Sequence, residues 1–98
     1  MSLTYSPRAL ADLQKIVADI EPHRPSGAAA LVRKIEATVG LIERYPRAGR
    51  ALSRRAAVRV LPIGKYPYRV YYHVVGDDVE ILHIRHTSRR APAAEDLE

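Results

Sequence analysis

The sequence contains no cysteine, no tryptophan and no phenylalanine, and only one methionine in 98 residues. Lack of cysteine excludes a disulfide, a thiolate metal site and a cysteine nucleophile together, and it fits a reducing compartment. Without Trp or Phe, the core must be assembled from Leu, Ile, Val, Ala and some of the six tyrosines. No stretch approaches the run of about twenty apolar residues that crosses a bilayer. The opening residues Met1-Ser2-Leu3-Thr4-Tyr5 carry no charged leader followed by an apolar run, so a cytoplasmic protein without membrane association is expected. Also missing are a Gly-rich phosphate loop, a His-Glu-x-x-His helix and a Gly-x-Ser-x-Gly turn, and no cofactor is expected.

What is present suffices for one domain over residues 1–98, with 47% apolar residues and neither repeats nor an internal boundary. Sixteen Lys and Arg set a formal charge of +5 and a pI near 9.9. This arginine-heavy balance directs the chain towards phosphate or carboxylate groups on a partner.

Leu3-Thr4-Tyr5 reads as a short strand, and Ser6-Pro7 as an N-cap followed by proline in the first turn. Leu10, Leu13, Ile16, Val17 and Ile20 recur at helical spacing until Glu21-Pro22 stops the helix. After the connector His23 to Gly27, with Ser26 or a neighbour as cap, a second helix presents Leu31, Ile35, Val39, Ile42 and Tyr45 on one face and ends at Tyr45-Pro46. Pro46 to Arg55 reads as an arginine-dense loop. Ala57 to Ile63 reads as a strand, and Tyr68 to His86 as a β-hairpin around Gly76-Asp77-Asp78.

A three-residue hairpin loop pairs Val75 with Val79, Val70 with Ile84, Tyr72 with Leu82, Arg69 with Arg85, Tyr71 with His83 and His73 with Ile81. That register gathers apolar residues on one face and Arg69, Arg85, Tyr71, His73 and His83 on the other. The expected fold is therefore α+β, in order β-α-α-β-β-β, with an antiparallel helical hairpin covering one face of a small antiparallel sheet. Residues 87–98 have no core face and are expected to form a mobile tail.

The cationic face holds the candidate chemistry. Like charges directly opposite each other, as in Arg69 and Arg85, destabilise a sheet unless an anion neutralises them. RNA cleavage by a 2′-hydroxyl needs a base, an acid and cations for the phosphorane, which Arg69, Arg85 and Arg89 with His83 or His86 would supply. A metal cluster of His73, His83 and His86 is not expected, for want of carboxylates in the same strands. Arg47, Arg50, Arg54, Arg55 and Arg59 suit phosphates or an acidic partner, and equally a solvated loop.

Tyr5-Ser6-Pro7 with Ala9 and Leu13, Ile42-Glu43-Arg44-Tyr45-Pro46, Tyr68-Arg69-Val70-Tyr71-Tyr72 and Val79 to His86 together resemble the RelE/ParE toxin family of bacterial toxin-antitoxin modules. The likeness covers nearly the whole chain. It implies a toxin bound in a hetero-oligomer by a cognate antitoxin, for which the basic surface here predicts an acidic segment. RelE-like members cleave mRNA on the ribosome, and for them the resemblance assigns Arg69 and Arg89 to the phosphate, with Arg85, His83 and His86 completing the candidate set. ParE-like members poison DNA gyrase. The long hairpin from Pro7 to Tyr45 resembles that branch, and the tail after His86 has neither Tyr nor His. A gyrase poison is thus expected, with Arg69, Tyr71, His73, Arg85, Arg54 and Arg55 contacting target or partner. The alternatives are an mRNA endonuclease or an inactive antitoxin-binding module.

Overall fold

The computed structural model describes residues 2–53 and 57–88. Its elements are β1 (Leu3–Tyr5), α1 (Pro7–Ile20), α2 (Pro25–Arg44), β2 (Arg50–Ser53), β3 (Val58–Pro62), β4 (Tyr68–Val75) and β5 (Asp78–His86). The α+β class and the helical hairpin follow the sequence reading. Two features of the sheet differ from it. Arg50–Ser53, read as loop, pairs antiparallel with β3 as an edge strand. Four residues are too few to carry their own alternation, so pairing to β3 fixes them. In addition, β1 runs parallel to β5, so the five-stranded sheet, in order β1-β5-β4-β3-β2, is mixed.

Local chemistry explains the helices. The Ser6 hydroxyl accepts from Ala9 N at 3.0 Å, satisfying one free donor of the first turn of α1, and itself donates to Leu82 O at 3.0 Å. One side chain thereby sets both the helix start and its docking on β5. α2 instead begins at Pro25, with Arg24 as an N-cap that makes no side-chain bond, so the capping expected of Ser26 does not occur. Leu31, Ile35, Val39 and Ile42 are buried as their spacing requires, but Tyr45 follows the helix end and is 58% exposed.

The helices cover one face of the sheet, where Val70, Tyr72, Val79, Ile81 and Ile84 meet Ile16, Ile35 and Ile42. The opposite face is not bare: Val58, Val60, Tyr71 and Leu82 form a second buried cluster there, flanked by Leu52. The hairpin explains how Leu82 joins it. From Tyr68↔His86 to Tyr71↔His83 the register is the expected one, but beyond it Tyr72 pairs with Ile81, His73 with Glu80, Val74 with Val79 and Val75 with Asp78. Leu82 is therefore an extra residue, a β-bulge, and the loop shortens to Gly76-Asp77. Gly76 takes φ +61°, the positive φ that a type II′ hairpin turn needs at its first loop position.

Ala57, just before β3, adopts φ +52°. A left-handed backbone costs a non-glycine residue about 1–2 kcal/mol. Glycine removes that strain but gains freedom in the unfolded chain, so Ala57→Gly is expected to raise unfolding free energy by about 0.5–1 kcal/mol. Urea denaturation measures the change, and a loss of stability would contradict the strain.

Candidate functional site

The sequence-derived site residues divide into three groups. Arg69 and Arg85 stand opposite each other and alternate with Val70 and Ile84, which places both on the face turned away from the helices. Tyr71 and His73 share that face, but Tyr71 is 3% exposed and belongs to the second core cluster. A role for its ring on an open contact surface is thus replaced by packing. Arg54, Arg55 and Arg89, with the tail from residue 89 onward, lie outside the described residues. Of the tail, Thr87 and Ser88 are tied down, through Thr87 N to Pro67 O at 2.8 Å and Ser88 N to His86 Nδ1 at 3.0 Å.

His83 does not point to an open face. It is 7% exposed and sits against α1, where Asp12 Oδ2 lies 2.5 Å from its Nδ1. At that distance the carboxylate is the close polar partner of the ring and favours its charged form. The same carboxylate oxygen accepts from Ile84 N at 3.0 Å. Because β1 ends at Tyr5, opposite Ile81, the edge of β5 beyond that point has no strand beside it, and Asp12 caps it instead. Sequence reading missed Asp12 because the contact spans 72 residues and nothing local announces it.

Burial lowers the His83 pKa, and the Asp12 charge opposes this without overcoming it. The imidazole is therefore more readily deprotonated in the fold than in the unfolded chain. Between the lowered pKa and 6.5 the unfolded chain binds more protons, so stability there rises with pH. Unfolding free energy is expected to be fully present above the ordinary histidine range and to decline as pH falls below it. His83→Gln should flatten that slope, and denaturation measured across the acid range decides it.

His73 also has a carboxylate partner, Glu80 Oε1, 3.0 Å from its Nε2. The bulge at Leu82 brings this about by moving Glu80 opposite His73 in place of Ile81. The premise that the strands lack carboxylates near the histidines is corrected accordingly. His86 packs edge-on against Tyr68 with ring centroids 5.1 Å apart, and its Nδ1 lies 2.7 Å from Ser88 Oγ. Arg8, Asp12, Lys15, His83, Arg85 and His86 line a groove of about 300 Å³ between α1 and β5. His83 and His86 thus share one groove with Arg85, while His73 stands apart against Glu80, so the three histidines are not gathered at one point.

The sequence profile of the ParE toxin of the type II toxin-antitoxin system parDE matches residues 3–91. The chain belongs to the ParE toxin family. Among relatives of this ParE-family chain is Y4kP, a candidate toxin of Sinorhizobium fredii, 34% identical over 90 residues that make up 92% of each chain. A solved structure of the chromosomal ParDE toxin-antitoxin system from P. aeruginosa superposes with a TM-score of 0.76 at 29% identity, covering 88% of this chain and 95% of that one. The expected family and its α+β fold are thereby shown. Among the described residues, no helix is long and apolar enough to cross a membrane.

Proposed function

We propose that this ParE-family chain inhibits growth in the cytoplasm by poisoning DNA gyrase, and that a cognate antitoxin with an acidic segment neutralises it in a hetero-oligomer. The observation that carries this reading is the state of His83, a proton-carrier candidate two residues before Arg85. Buried at 7% exposure against the Asp12 carboxylate, it is poorly placed to exchange protons with a bound RNA. A gyrase poison needs no such group. The facing Arg69 and Arg85 favour the second reading, an mRNA endonuclease in which both hold phosphate oxygens.

Purified protein added to a gyrase supercoiling reaction is expected to block supercoiling and to trap cleaved DNA. No inhibition at large excess would overturn the proposal. Codon-specific cuts in a translating message, lost in Arg69→Ala, would select the endonuclease instead, and harmless expression without a partner would select an inactive binding module.

A further inference from the structure

The end of α2 builds a cleft that neither reading uses. It has a volume of about 750 Å³ and lies between the turn after α2 and the tip of the sheet, lined by Arg44, Tyr45, Pro46, Arg47, Arg59 and Val74 among others. Its three cations meet no acidic residue in the lining, and among the described residues no ion pair joins any of them to a carboxylate. Such uncompensated charge repels itself, and an incoming anion relieves that repulsion.

The cleft is also rigid. The Tyr72 hydroxyl donates to Pro46 O at 2.7 Å and accepts from Gly49 N at 2.8 Å, while Arg59 Nη1 donates to Gly49 O at 2.7 Å. Ala48 N closes the turn on Tyr45 O at 2.9 Å. A buried phenol and a guanidinium thus pin both ends of the Pro46–Gly49 turn, so its arginines are presented from a fixed backbone. Beside them the Tyr45 ring is 58% exposed, and one helical turn earlier Leu41 is 44% exposed on the same side of α2.

We propose that this cleft is the docking site for an acidic peptide segment carrying an apolar anchor, the anchor packing on Tyr45 and Val74 and the carboxylates meeting Arg44, Arg47 and Arg59. This deepens the proposed function, resting on its antitoxin partner, by locating where the acidic segment sits. A protein segment fits better than nucleic acid. The apolar residues Pro46, Ala51, Val58 and Val74 line the cleft together with the cations, so an occupant must bury hydrocarbon as well as charge. A phosphate backbone offers only the charge.

A fluorescein-labelled synthetic peptide of alternating Glu and Leu with one Trp, added to the full chain, tests this by anisotropy. Saturable binding is expected, weakened about tenfold or more by Arg44→Glu/Arg47→Glu and by high salt, and about tenfold by Tyr45→Ala. Arg33→Glu, an exposed change on α2 away from the cleft, should leave binding within about twofold. Equal binding of an all-Glu peptide, tighter binding of duplex DNA, or affinity unchanged in Arg44→Glu/Arg47→Glu would each overturn the proposal. Both arginines are exposed, and near-wild-type circular dichroism of the double variant guards against a folding artefact. The readout involves no gyrase, so failure here leaves the gyrase proposal standing.

Discussion

Gly49→Ala is expected to destabilise the protein by about 3 kcal/mol, a large cost for a single methyl group. A Cβ at this position falls 2.6 Å from the Tyr72 hydroxyl, 2.8 Å from its ring carbon Cε1 and 3.0 Å from the Val60 carbonyl oxygen. The ring cannot swing aside, because Tyr72 is 0% exposed and its hydroxyl is held by Pro46 and Gly49. The carbonyl cannot retreat either, since Val60 is paired on both sides, with Arg50 and Tyr71. Steric room, rather than backbone conformation, is what demands glycine here.

Tyr72→Phe attacks the same joint from the other side and is expected to cost about 2 kcal/mol, because it strands the buried Gly49 N–H and a lone pair of Pro46 O. Burial raises the Tyr72 pKa more than its hydrogen bond from Gly49 lowers it, so the hydroxyl keeps the proton it donates. Losing the oxygen removes the closest clash, so the double variant Gly49→Ala/Tyr72→Phe should cost less than the sum of the single changes. Urea unfolding of the four proteins completes the cycle. A Gly49→Ala protein within about 1 kcal/mol of the parent would show that the turn moves freely, contrary to the geometry.

The second large effect is expected at Asp12. Asp12→Ala deprives Ile84 N of its acceptor at an edge that no strand covers, and leaves His83 buried without its neighbouring charge. The expected cost is about 2–3 kcal/mol, set chiefly by the unsatisfied amide. Asp12→Asn separates the two roles, since a carboxamide oxygen still accepts from Ile84 N while the charge disappears. It should retain most of the stability yet lower the His83 pKa further, because the Asp12 charge is what opposes desolvation. NMR titration of the His83 ring reads this directly. An unchanged or raised His83 pKa in Asp12→Asn would mean that the carboxylate does not act on the imidazole.

The sequence made the helices readable because Ser6-Pro7 and Tyr45-Pro46 bracket them and their apolar spacing is regular. The wide end of the hairpin was readable for a similar reason: Arg69 with Arg85 and Val70 with Ile84 is the register that keeps like with like. It failed beyond Tyr71 because strict alternation back from Ile84 assigns Leu82 of the apolar doublet Ile81-Leu82 to the helix side, whereas Ile81 takes that side and Leu82 the other. That doublet is the local mark of the bulge. β2 and the parallel pairing of β1 left no such mark, since strands of 4 and 3 residues take their identity from neighbours. At the candidate site, Arg69 and Arg85 were legible as a facing pair. Asp12, Glu80 and Gly49 were not, as each acquires its role from residues brought close only by the completed sheet.

The parallel pairing of β1 carries one more implication, for the order in which the toxin comes into being. Val79 N donates to Ser2 O at 2.8 Å, and Ser2 Oγ donates to Asp78 Oδ1 at 2.8 Å across a sequence separation of 76. During synthesis the amino-terminal strand has nothing to pair with until almost the last strand has emerged, and the two helices meanwhile have no sheet on which to lay their apolar stripes. A nascent chain therefore lacks the complete sheet until β5 has been made. The toxin fold thus closes late, when its first strand finds its last.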